Sequence, residues 1–319
     1  MKKILSLLLI IIILLSSFCF TLSAYATTDE LDLSQYTVED LAQMSADEFR
    51  QLLADFERVY DPFDTYNTDP IMEGNKPPTI QPRWGSGDIE NELGSHEMLT
   101  MQACVVLMTD KGFFSNNAGE NLALALSISI ASIMPDKDEV GLLFAGHFYH
   151  AIDGDNYLGS KSNTALTNCR SHYNAAVSAA KGNNQAKAAE EIGRALHYLQ
   201  DAGQPHHAAN ITVANISHKL FEDQIDANIE TYINLITSVN NHNFHYATAG
   251  FTYSSAAANS IDYLVKSTSL IAYGYRGQVN NALNKSQWDF VARITVPNSI
   301  AFSALLMYKF AGASGWGVH

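Results

Sequence analysis

Eleven histidines stand in this chain of 319 residues, and they are unevenly placed. The densest stretch runs Arg194-Ala-Leu-His197-Tyr-Leu-Gln-Asp201-Ala-Gly-Gln-Pro-His206-His207-Ala-Ala-Asn210. His197 and Asp201 are four apart, so on a helix an imidazole and a carboxylate share one face, a turn apart. Gly203 and Pro205 would end that helix, leaving His206 and His207 where the chain can fold back. His218 and Glu222 repeat the same spacing. Upstream, His147 lies in Leu143-Phe-Ala-Gly-His-Phe-Tyr149, Asp136 follows Pro135 in an expected loop, and His96 opens an expected helix. Imidazole and carboxylate oxygen together make a donor set that suits zinc. One such pair alone is common on a solvated helix surface; the chemistry rests on the whole set falling in one stretch of chain.

The elements that must position these groups read as helices. Residues 95–109, 117–133, 140–150, 162–181, 184–202, 216–239, 255–275 and 290–311 carry helical apolar spacing, and no run alternates like a half-buried strand. Alanine-rich stretches such as Ala186 to Ala195 favour helix, and the apolar Val296 to Phe310 should be central. The fold class is all-α, a compact multi-helix domain.

Three units are expected. Residues 1–26 read as a cleaved signal peptide: Lys2 and Lys3, an apolar run from Ile4 to Phe20, then Ala24-Tyr25-Ala26. The product would be secreted. Residues 27–83 carry 13 acidic against four basic side chains and hold amphipathic helical spacing at Leu41, Met44, Phe49, Leu52, Leu53 and Phe56. They end in a linker, since five of the chain's eight prolines fall within residues 60–83. Residues 84–319, with 20 acidic and 13 basic side chains, form the main domain. A net charge of −14 argues against a nucleic-acid partner bound by neutralising phosphates. Three cysteines cannot build a disulfide framework; Cys104 and Cys169 could pair in a secreted protein, but sequence cannot show that they meet.

These motifs resemble those of the zinc-dependent bacterial phospholipase C family. The matching residues are Trp84 with His96 twelve positions later, Pro135-Asp136, Phe144-Ala-Gly-His147-Phe-Tyr149, His197-Tyr-Leu-Gln-Asp201, Gln204-Pro-His-His207-Ala-Ala-Asn210, and His218 with Glu222. The resemblance implies a fold shared with the three-zinc single-strand nucleases, and three zinc ions per mature chain. Trp84 through its amino and carbonyl groups, His96 and Asp201 would hold the first. Asp136, His147, His197 and a bridging Asp201 would hold the second, and His207, His218 and Glu222 the third. The implied reaction converts glycerophospholipids to diacylglycerol and a phosphorylated head group by a zinc-activated water, with Asp136 as general base. His206 is next to a ligand but not at a ligand position, and would line the cleft or support a neighbour.

A main-chain amine can ligate only if Trp84 comes first, so 27–83 reads as a propeptide cut after Arg83 by an activating protease. The partner would be phospholipid at a membrane surface, met peripherally by a monomer. Phe144 is retained from the choline pocket of the bacillus enzymes; Lys137 replaces a tyrosine there and would repel a quaternary ammonium, while Asp88 is a displaced anion. Phe113, Phe114 and Phe251 would supply apolar interfacial contact. Two alternatives remain: a secreted three-zinc nuclease for single strands, and a non-catalytic protein with structural zinc. Glu222 in place of an aspartate, and the short gap from His207 to His218, favour the lipase.

Overall fold

The computed structural model describes residues 31–60, 94–112, 118–139, 141–244, 250–281 and 285–316. The signal peptide, the proline-rich linker, Trp84, Asp88, Phe113 and Phe114 lie outside the described residues. Among those described, all regular structure is helical.

Two helices precede the main domain: α1, Val38–Gln43, and α2, Ala46–Tyr60. Each begins with a capping box. Thr37 and Asp40 exchange hydrogen bonds at α1, and Ser45 and Glu48 do so at α2; these satisfy amide donors that a helix start leaves unpaired. Leu33, Leu41, Phe49, Leu52, Leu53 and Phe56 are all buried, in the same core as the main domain. At about 2 kcal/mol for each such side chain, their burial stabilises the packed segment by about 12 kcal/mol as an upper bound. Residues 31–60 thus pack as part of the fold, against the next two helices.

Those are α3, Ser95–Lys111, and α4, Ala118–Ala131. Every residue of α3 from Ser95 to Met108 except Gln102 is buried, because the N-terminal segment covers a side that would otherwise face water. A short α5, Met134–Asp138, starts with Pro135 in its first turn, where a proline's missing N–H costs nothing. Asp136 therefore sits in a helical turn rather than the expected loop. The stretch expected as helix 140–150 is instead a tight 3-10 run, Gly141–His147, entered by Gly141 at φ +64°.

Helices α6, Ala165–Lys181, and α7, Gln185–Ala202, pack along each other as a pair. Thr164 and Asn184 cap them. Gly193 lets α7 approach α4: a Cβ there would lie 2.5 Å from both Ala131 Cβ and the Ile128 carbonyl oxygen. A 3-10 turn, His207–Ala209, follows.

The expected helix 216–239 divides into α8, Ile216–Asp226, and α9, Ile229–Ile233. The expected 255–275 divides into α10, Tyr253–Ala258, and α11, Ile261–Gly274, where Ser260 accepts from Tyr263 N–H as a new cap. After α12, Arg276–Val279, comes α13, Lys285–Ser314. This last helix is long and apolar enough to cross a membrane, but 89% of its most apolar window is buried within the protein. It is the core helix, and Pro297 sits inside it. Cys104 and Cys169 are separate buried thiols, Cys104 lying against Met307 Sδ.

Candidate metal centre

Helix α7 supplies His197 and Asp201, and every other donor arrives from a different element. His96 comes from the first turn of α3, Asp136 from α5, His147 from the end of the 3-10 run, His207 from the turn after α7, and His218 and Glu222 from α8. All eight side chains are buried. They form three groups whose donor atoms lie within 4.8 Å of one another: His96, His197 and Asp201; Asp136, His147 and His197; His207, His218 and Glu222. Trp84 falls outside the described residues, so its position relative to His96 is not part of this geometry.

Asp201 stands between the groups. Its Oδ2 is 2.8 Å from His147 Nδ1 and 3.0 Å from His197 Nε2. Its Oδ1 is 3.7 Å from His96 Nε2 and 3.2 Å from His207 Nδ1. Asp136 Oδ1 lies 3.5 Å from His147 Nδ1 and 3.6 Å from His197 Nε2. In the third group His218 Nε2 is 2.8 Å from Glu222 Oε1 and 3.1 Å from His207 Nε2. His197 is thus shared between the first two groups, a position the sequence reading gave to Asp201 alone.

A second layer of oxygens orients the rings. Gln200 donates through Nε2 to Thr100 and Ser303, which turns its Oε1 to accept from His96 Nδ1 at 2.7 Å. The Ser132 carbonyl accepts from His197 Nδ1 at 2.7 Å, and the His147 carbonyl lies 3.1 Å from His207 Nδ1. Each arrangement leaves Nε2 aimed inward as a lone-pair donor. Gln204 spans two donors, giving an N–H to Glu222 Oε1 and accepting the His207 amide. His206 lies flat on His218, ring centroids 4.9 Å apart, with its Nε2 3.3 Å from Ser217 Oγ; it supports a neighbour. Phe144 is nearly buried and stacks on His147 at 4.2 Å.

Sequence reading missed the outer partners. Gln200 and Gln204 stand inside the quoted motif, where a polar residue beside each donor is the available signal. Ser132 acts through its backbone and carries none. Phe251, expected at a membrane-facing edge, packs instead against Phe244 and Phe302. His150, His172 and His242 have partners elsewhere in Asp153, Glu191 and Asn298.

The electrostatics show what the donors need. Burial, with His197 beside it, drives His96 down to about 3 despite Asp201, so its ring is neutral. Burial also disfavours charge on His147 and His207, but Asp201 outweighs it and holds them up at about 10 and about 9. Burial raises Asp136 against the pull of His197 and His147. It also raises Glu222, but His218 and His207 prevail and hold it down to about 2. Asp136 Oδ2 and Glu222 Oε2 are buried with no hydrogen-bond partner. Buried, unsatisfied carboxylate oxygens are costly, and a divalent cation would satisfy them. The residues therefore fit zinc in number, donor type and placement.

No family profile matches the chain. It is 28% identical over 240 residues to a phospholipase C of Clostridium perfringens, a match covering 68% of this chain and 58% of that protein. It is 32% identical over 94 residues to a phospholipase C of Bacillus cereus, covering 28% of this chain and 32% of that protein. The solved alpha-toxin of an avian Clostridium perfringens strain superposes with a TM-score of 0.57 at 25% identity, over 70% of this chain and 64% of that one. The alpha-toxin of Clostridium absonum gives 0.59 at 22%, over 69% and 63%. The chain thus spans less than two thirds of the length of these clostridial relatives. The chain is thus similar in sequence to bacterial phospholipases C and shares an all-α fold with the clostridial alpha-toxins.

Proposed function

We propose that the chain is a secreted zinc phosphodiesterase that hydrolyses glycerophospholipids at a membrane surface, releasing diacylglycerol and a phosphorylated head group. The observation that carries this is the convergence of eight buried imidazole and carboxylate side chains from six elements into three adjoining donor groups. Trp84, His96 and Asp201 would hold one zinc, Asp136, His147, His197 and Asp201 a second, and His207, His218 and Glu222 a third. Bound there, zinc would supply Lewis-acid polarisation of a phosphate and lower the pKa of water. Asp136 has an oxygen not spent on a hydrogen bond, and takes the proton of the attacking water as general base. As the water oxygen bonds to phosphorus, the bond to the glycerol oxygen breaks and that oxygen is protonated. Phe144 walls the site beside His147. Lys137, exposed next to Asp136, would repel a quaternary ammonium, so head groups other than choline suit this site better.

The alternative is cleavage of single-stranded nucleic acid by the same donors. Zinc-loaded protein is expected to release diacylglycerol from phospholipid vesicles and leave single-stranded DNA intact under the same conditions. Cleavage of the DNA with inert vesicles would instead make it a nuclease.

The propeptide reading belongs to the same proposal. An amide nitrogen is a poor ligand, so a cut between Arg83 and Trp84 would complete the first group. Because residues 31–60 share the main core, the cut fragment would leave only through local unfolding. N-terminal sequencing of the active secreted protein is expected to begin at Trp84; a start at Thr27 with full activity would contradict it.

A further inference from the structure

Three of the imidazoles around Asp201 present the same ring edge. His96, His197 and His207 turn Nδ1 toward a neutral oxygen of Gln200, Ser132 or the His147 backbone. His147 is reversed. Its Nδ1 points inward, 2.8 Å from Asp201 Oδ2 and 2.9 Å from His197 Nε2. Its Nε2 points outward and lies 3.3 Å from Glu139 Oε2, an ion-pair contact that does not meet hydrogen-bond geometry. Among these four rings it is the one whose outer nitrogen faces a carboxylate from outside the three donor groups; His207 Nδ1 also lies 3.2 Å from Asp201 Oδ1, but Asp201 is itself one of the donors.

Glu139 is itself held on two sides. Tyr198, fully buried and next to His197 on α7, donates a hydrogen bond to its Oε1. Its amide N–H donates to the Pro135 carbonyl at 2.9 Å, closing the end of the α5 turn that bears Asp136. Glu139 therefore links three elements that bring Asp136, His147 and His197 together. A carboxylate accepting the outer N–H of a metal-ligating histidine fixes its tautomer and makes the inner nitrogen a stronger donor.

We propose that Glu139 is a positioning residue that selects the Nδ1-ligating form of His147 and raises the metal affinity of the Asp136, His147 and His197 group above what a neutral partner would give. The inference rests on the zinc reading of that group. It predicts that this group depends on a charge outside the ligand shell, supplied by Glu139 at 3.3 Å from His147 Nε2.

The test uses the secreted protein as produced, stripped of metal and titrated with zinc against a competing chelator, and with cobalt to read the visible spectrum. Glu139→Gln keeps the shape and an acceptor oxygen but removes the charge. It is expected to weaken zinc at one group by about 10- to 100-fold, shift the cobalt bands, and leave the melting temperature of the stripped protein unchanged. Glu139→Ala is expected to lose more, so that Gln is a partial rescue, and Tyr198→Phe to change the cobalt bands in the same direction by less. Wild-type zinc affinity with an unchanged cobalt spectrum in Glu139→Gln would overturn the inference while leaving the zinc reading intact. Failure of the unaltered protein to bind zinc would overturn both.

Discussion

Stripping metal from the folded protein with a strong chelator lowers its thermal midpoint by about 10 °C or more, and restoring zinc recovers it. The donors come from six separate elements, so a bound ion ties together segments otherwise joined at the site by imidazole–carboxylate contacts and by the outer hydrogen bonds of Gln200, Gln204 and the Ser132 and His147 carbonyls. A ligand present at a thousand times its Kd stabilises the folded state by about 4 kcal/mol, and each kcal/mol moves the midpoint of a domain this size by about 2–4 °C. More than one ion makes the shift larger. The same binding releases protons. His147 and His207 sit at about 10 and about 9, so both carry a proton at neutral pH that zinc must displace. Zinc affinity then falls as pH falls, and calorimetry in buffers of different ionisation enthalpy reads the released protons directly. A chelator-insensitive midpoint, or uptake without proton release, would contradict this.

Replacing Asp201 by Asn has the second large effect. The substitution keeps the side chain's shape but removes the charge that faces His96, His147, His197 and His207. An amide is a weak zinc ligand, and its NH2 group would point a donor at ring nitrogens that need to stay bare. Two of the three metal groups use this carboxylate in the proposed assignment. Losing several kcal/mol of transition-state charge stabilisation corresponds to about a thousandfold or more in kcat/KM. Metal content is expected to fall together with activity, leaving the His207, His218 and Glu222 group occupied. Full zinc content in Asp201→Asn would remove Asp201 from the ligand set.

The helical class was legible because periodicity reports burial of one face, and the two helices of the N-terminal segment were legible at Phe49, Leu52, Leu53 and Phe56 for the same reason. Their docking onto α3 and α4 was not, since an apolar stripe does not name what it packs against. The breaks at residues 227–228 and 259–260 were marked by Asn228 and by Asn259-Ser260, cap-forming residues that a long apolar period overrides when read alone. The 3-10 run before His147 escaped because Gly146 is fixed by close contact with Asn163 and Asn168, residues distant in sequence. Conversely, Pro297 suggests a break, yet α13 runs through it: tertiary packing of a helix buried on all sides from Ile294 to Met307 outweighs one lost hydrogen bond.

At the site, the donor residues stood out because paired spacing and turn residues placed them, and the resemblance grouped them. What could not be read was the outer layer. The Ser132 carbonyl, the Gln200 amide and the reversed ring of His147 depend on how α4, α5 and α7 cross. That crossing is set by Gly193 against Ala131, a contact with no local sequence signature.

The most direct measurement is the metal content of the purified active protein, taken with its N-terminal residue. Three zinc ions per chain, on a chain that begins at Trp84, are the expected result. A fully active protein without zinc would contradict it, as would a zinc-loaded protein of that form inert on every phospholipid.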